Sequence, residues 1–127
     1  MINPNQCKYT KSHEWLSPDG TVGLSDHAQK EITDVVFVDL PKVGKDVKAG
    51  EAIAVVESVK AAFDIYAPVS GKISKVNDSL SKDPSLVNKS PYGEGWLYAI
   101  ERSNSSEDAG LMSHEEYQEF LKAEVAH

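Results

Sequence analysis

Cysteine is almost absent from this chain of 127 residues, where Cys7 stands alone. A lone thiol closes no intrachain disulfide and has no companions for a cysteine metal cluster, so both readings drop out and Cys7 reads as a plain thiol near the terminus. Long apolar runs are missing too. Nothing approaches the roughly 18 residues a membrane span requires, and MINPNQCKYT has neither an apolar signal core nor an arginine-rich transit pattern. A cytoplasmic protein with no membrane contact is expected. Positive charge is scarce, with 13 Lys and Arg against 20 Asp and Glu and a formal net charge of −7. Nucleic acid needs clustered cations and is therefore not an expected partner, whereas proteins with basic docking surfaces are favoured; acidity also serves solubility.

Catalytic signatures are likewise missing. The chain has no G-x-S-x-G, no H-E-x-x-H and no phosphate-cradling G-x-x-x-x-G-K-[ST]. His13, His27, His114 and His127 are scattered without metal-ligand spacing. His13 and Glu14 are neighbours that a strand would point to opposite faces, so they read as separate side chains rather than a pair.

The chain does hold enough apolar residues, 40% against 26% charged, for one ordinary domain over residues 1–127 with its own core. Its pattern is mainly short strands. Glu14 to Leu16, then Pro18-Asp19-Gly20, then Thr21 to Leu24 reads as strand, tight turn, strand, because Asp-Gly supplies the positive φ such a turn needs. Asp26 as an acidic N-cap with Gln29 three residues on predicts a short helix to about Thr33. Val35 to Leu40, β-branched and aromatic and stopped by Pro41, predicts a central strand buried on both faces. Gly50, Pro68 and Gly71 then divide Ala52 to Glu57, Ala62 to Ala67 and Lys72 to Val76 into strand-length pieces. The competing helix over EAIAVVESVKAAF is opposed by Ile53, Val55, Val56 and Val59. A long connection from Asn77 to Pro91 has Leu80, Leu86 and Val87 as anchors, and Trp96 to Ile100 reads as another strand.

Ser113 and Glu116 form a capping box for a helix to about residue 125, with Tyr117, Phe120, Leu121 and Val125 on one face and a Met112 to Tyr117 staple. The expected architecture is mainly β, a flattened barrel or sandwich with a short helix in the amino-terminal half and a carboxyl-terminal helix. Its core should include Phe37, Val38, Ile53, Val55, Ile73 and Tyr98.

One residue breaks the apolar pattern. In AVVESVKAAFD, Lys60 sits between Val59 and Ala61, and if strands flank it, Ser58 to Ala61 is the connecting turn with Lys60 at its tip. A type I geometry permits this without Gly or Asn.

Glu57-Ser58-Val59-Lys60-Ala61 resembles the lipoyl attachment site of the glycine cleavage H-protein family. Ser12 to Trp15, Asp26 to Gln29, Val36 to Pro41, Ala67 to Gly71 and Pro91 to Trp96 are similar to that family's segments, in its order, so the likeness runs from about Tyr9 to Phe120. Biotin carriers, of related architecture, flank the modified lysine with methionines, which Val59 and Ala61 do not match.

The resemblance implies a lipoyl-domain-like barrel-sandwich hybrid over about residues 21–101 and a lipoate covalently attached to Lys60. It further implies a monomer that is a carrier and not an enzyme. Its partners would be glycine decarboxylase (P-protein), an aminomethyltransferase (T-protein), dihydrolipoamide dehydrogenase (L-protein), and a lipoate ligase or lipoyl/octanoyl transferase. The family's arm cleft maps onto Glu14, Asp64 and the helix position Glu31, where the family carries His. Leu16 to Thr21 is shorter than the family's usual first hairpin. The alternatives are an H-like relay that hands lipoate to other enzymes, and an unmodified interaction domain.

Overall fold

The computed structural model describes residues 2–125; Met1, Ala126 and His127 lie outside them, as do the side chains of Ser105, Glu124 and Val125. Two antiparallel sheets enclose the main core. Strands β1 (Lys8–Tyr9), β2 (Glu14–Leu16), β3 (Thr21–Leu24), β5 (Asp46–Val47), β8 (Gly71–Val76) and β9 (Tyr98–Arg102) form a six-stranded sheet in the order β1-β2-β3-β9-β8-β5. Strands β4 (Val35–Asp39), β6 (Ala52–Ser58) and β7 (Ala62–Tyr66) form a three-stranded sheet in the order β4-β6-β7. The expected flattened sandwich is what forms, and residues 52–58 are strand, not helix. Inward side chains of both sheets, among them Val22, Val38, Ile53, Val56, Ile65, Ile73 and Tyr98, pack into one buried cluster.

The first hairpin turns where Asp19-Gly20 places it. Gly20 has φ +93°, and a Cβ there would lie 2.3 Å from the Ile100 carbonyl oxygen, so side chain and turn exclude each other. Helix α1 (Asp26–Ile32) occupies the expected span, but its N-cap is Ser25, whose Oγ accepts from the Ala28 amide at 3.1 Å. Asp26 is the first helical residue instead. Its carboxylate accepts from Gln29 Nε2 at 3.0 Å and pairs with Lys30 at 3.0 Å, both of which lower its pKa.

Strand β4 departs from expectation. It is an edge strand of the smaller sheet, paired only with β6, and an irregularity between Val35 and Phe37 turns Val35 and Val38 inward while Val36 and Phe37 face outward. Phe37 is 51% exposed and Val55 only half-buried, so neither is a core residue as predicted; Val38, Ile53, Ile73 and Tyr98 are. An apolar run reads the same whether its sheet is covered on two faces or one, which is why the sequence pattern overstated β4.

The connection after β8 contains two helical turns, α2 (Ser79–Lys82) and α3 (Leu86–Lys89), anchored by the fully buried Leu80 and Val87 with Leu86 packed beside them. The strand expected at Trp96 begins two residues later, at Tyr98. Helix α4 (His114–Val125) starts on the predicted capping box, with the Ser113 amide donating to Glu116 Oε1 at 2.9 Å and the Glu116 amide to Ser113 Oγ at 3.1 Å.

A second apolar cluster joins this helix to the amino-terminal segment. Tyr9 stacks on Tyr117 with ring centroids 4.3 Å apart, Trp15 and Cys7 complete the buried set, and Met112 packs beside them. Cys7 is thus a core residue, and burial pushes its thiol up to about 12. No helix among the described residues is long and apolar enough to cross a membrane.

Phe37→Ala should change stability by less than about 1 kcal/mol, whereas Val56→Ala, at a fully buried position of the central strand, should cost about 2 kcal/mol. Paired denaturant melts measure both, and a larger loss at Phe37 would return it to the core.

Candidate functional site

Lys60 stands exposed at the tip of the β6–β7 hairpin, within the turn 59–61. The turn works without glycine because Ser58 holds it. The Ser58 amide donates to the Ala61 carbonyl at 2.9 Å, and Ser58 Oγ accepts from the amides of Lys60 and Ala61 at 3.1 and 3.3 Å. None of these residues needs a positive φ. The hydroxyl satisfies amides that the turn would otherwise leave without partners, and so makes a stiff tip out of ordinary residues.

The tip also rests on a support. The Val59 amide donates to the Asp34 carbonyl at 3.0 Å, and Lys60 Nζ donates to the Glu31 carbonyl at 3.3 Å, in the last turn of α1. A cation at a helix carboxyl end faces the negative end of the macrodipole, a mild attraction. Lys60 forms no ion pair with a carboxylate among the described residues, so its amine is accessible at little cost. Glu31, Asp34, Glu57 and Asp64 are exposed nearby in the sequence and the sheet, and Val59 is 69% exposed beside the lysine.

The other site candidates take different positions. Glu31 comes to Lys60 through its backbone, while its carboxylate lies 3.2 Å from His27 Nε2. Asp64 is exposed on β7, in register with Val55 of β6. Glu14 is fully buried. Its Oε1 accepts from the hydroxyls of Thr10 and Ser12, and its Oε2 accepts from the Tyr66 amide at 3.1 Å. Strand β7 pairs with β6 alone, so Glu14 satisfies an amide on its free edge and ties the six-stranded sheet to the three-stranded one.

The fold also brings together histidines that are far apart in sequence. The His13 and His27 rings are 4.9 Å apart, and His13 Nδ1 lies 2.8 Å from Tyr117 Oη, which is also 2.7 Å from Ser25 Oγ. Sequence reading missed this cluster, because its members come from the strand entry, α1 and α4. It also passed over Asn88, whose side chain makes four hydrogen bonds to α1 and its exit; only its place directly after the anchors Leu86 and Val87 hinted at a fixed position.

The geometry can present one amine, on a stiff tip, to a second protein. The glycine cleavage H-protein family model matches residues 7–124. A glycine cleavage system H protein of Deinococcus deserti is 58% identical over 108 residues, covering 85% of this chain and 90% of the relative. One of Thermotoga maritima is 53% identical over 120 residues, covering 92% and 97%. Among solved structures, the crystal structure of a glycine cleavage system H protein from Mycobacterium marinum superposes with a TM-score of 0.75 at 40% identity, covering 85% of this chain and 97% of that one.

Glu14→Ala should lower stability by about 2 kcal/mol, since it empties a fully buried position and removes the shared acceptor of the Tyr66 amide and the Thr10 and Ser12 hydroxyls. Lys60→Met should stay within about 1 kcal/mol of wild type because only an exposed contact is lost. Thermal melts of the two variants would show the contrast, and near-equal losses would contradict it.

Proposed function

Because the chain belongs to the glycine cleavage H-protein family, we propose that it is a lipoyl carrier of the glycine cleavage system whose modified residue is Lys60. The observation that carries this reading is the exposed Lys60 amine, alone at the apex of a hairpin braced by Ser58 and α1. A ligase must find one amine among many, and a stiff protruding tip distinguishes this lysine by position and not by reactivity.

The residues present fit a covalently attached lipoyl group. Among the described residues Nζ is bound only through a backbone carbonyl, which an amide N–H can still reach, and exposed Val59 beside it tolerates an apolar arm. When attached, the group supplies dithiolane chemistry that takes an aminomethyl group from glycine decarboxylase to the aminomethyltransferase and is reset by dihydrolipoamide dehydrogenase. The protein's own part is to hold the tip, expose it and present its acidic surroundings to partners with basic docking surfaces. It is a substrate of these enzymes and of the lipoate ligase, with no catalytic group of its own. Glu31 and Asp64 offer exposed carboxylates to a cationic aminomethyl group, and Glu14 acts from below by holding the β7 edge.

Wild type and Lys60→Arg, incubated with lipoate ligase, ATP and lipoate, separate the possibilities by intact mass. A lipoyl increment on wild type alone is expected; an increment on the arginine variant, or none on wild type, refutes attachment at Lys60, since arginine keeps the charge without an acylable amine. Asp64→Ala should release formaldehyde faster than wild type once both are aminomethylated. Equal rates would remove Asp64 from the arm's surroundings and favour a relay that only hands on lipoate.

A further inference from the structure

We propose that Asn88 positions the lysine tip from beneath, by clamping the one backbone segment on which that tip rests; this deepens the carrier reading and rests on it. Asn88 Nδ2 donates to the Thr33 carbonyl at 2.8 Å, and its Oδ1 accepts from the Val35 amide at 2.9 Å. The two contacts bracket Asp34, whose carbonyl accepts from the Val59 amide at 3.0 Å. The remaining Nδ2 hydrogen reaches Gln29, at Oε1 3.2 Å and at the carbonyl 3.4 Å, so the same side chain also holds the last turn of α1, where the Glu31 carbonyl meets Lys60 Nζ. Both of the tip's external contacts therefore end on backbone that Asn88 holds.

The segment needs such a clamp. Thr33 leaves α1 with φ 66° and ψ −155°, a region that β-branched residues avoid and that persists only when surrounding contacts over-determine it. Its own hydroxyl donates to the adjacent Ile32 carbonyl, a local bond that does not fix where the chain goes next. The clamp comes from α3, next to Val87, which is part of the main core, and so transfers the rigidity of the core to a surface hairpin. Losing it would leave the hairpin intact through Ser58 but free to swing as a unit. The presented pose would then be one of several, and apparent affinity for an enzyme that must dock on it would fall in proportion.

The test uses full-length Asn88→Ala and the nearly isosteric Asn88→Asp, which keeps the acceptor for Val35 and loses both donors. Val69→Ala serves as a control that removes buried volume beyond the other end of β7. Amide hydrogen exchange should show the Val59 amide exchanging about tenfold faster in both Asn88 variants, with the Ser58 amide, bonded within the turn, changing little. The KM of lipoate ligase for the protein should rise about threefold or more with kcat nearly unchanged.

Val59 exchange no faster than in Val69→Ala, or an unchanged KM in both Asn88 variants, would overturn the proposal. If wild type itself takes up no lipoyl group, the carrier reading fails, and the exchange comparison still decides whether Asn88 holds the tip.

Discussion

The structure depends on an acidic side chain held fully inside the fold by hydrogen bonds. Glu14 is fully buried, at the amino end of β2, and its two oxygens join a polar loop to the free edge of a strand in the other sheet. Two short sheets sharing a thin core have open edges, and an unpaired amide there is costly when water is excluded. A hydrogen-bond acceptor on a side chain closes the gap without a further strand. Three hydrogen bonds to one carboxyl group offset the cost of burying it.

From that joint the organisation runs outward in two directions. On one side, His13, with φ 74°, turns its ring away from Glu14 towards His27 and Tyr117, so the entry to β2 is also the seat of α4. Tyr117 reaches the N-cap serine of α1, tying the second apolar cluster to the helix that supports the lysine tip. On the other side, β7 carries the held edge directly to the hairpin turn. Lys60 is exposed but not loose, because Ser58 braces its turn and the backbone of Glu31 and Asp34 supports it. The attachment proposed at Lys60 calls for that combination: an arm free to move, attached to a base that is not.

The smaller sheet shows how the same strands serve two purposes. Its inner face supplies Val38, Val56 and Ile65 to the core, and its outer face leaves Val36, Phe37 and Tyr66 exposed along with Asp39 and Asp64. A surface mixing apolar and acidic side chains beside the tip costs some folding stability. It gives an approaching protein both apolar area and charge to recognise.

The sequence by itself determined the local features. Asp-Gly required a tight turn, the β-branched Ile53, Val55 and Val56 favoured strand over helix, Ser113 and Glu116 set the start of α4, and a single amine in an apolar run marked the tip. Each follows from propensities acting over a few residues, or from a resemblance carried by short segments. Tertiary structure decided which faces were covered and which distant groups met. Phe37 reads as core because an apolar strand carries no record of how many layers pack on it. Glu14 reads as an arm-cleft residue through the resemblance, and its burial is invisible there because its partner is an amide 52 residues away. Asn88 reads as part of a polar connection because its bonds go to backbone atoms, which every residue possesses and no sequence pattern marks. Burial and long-range hydrogen bonding are properties of the assembled sheets, and they exist only once the chain has closed on itself.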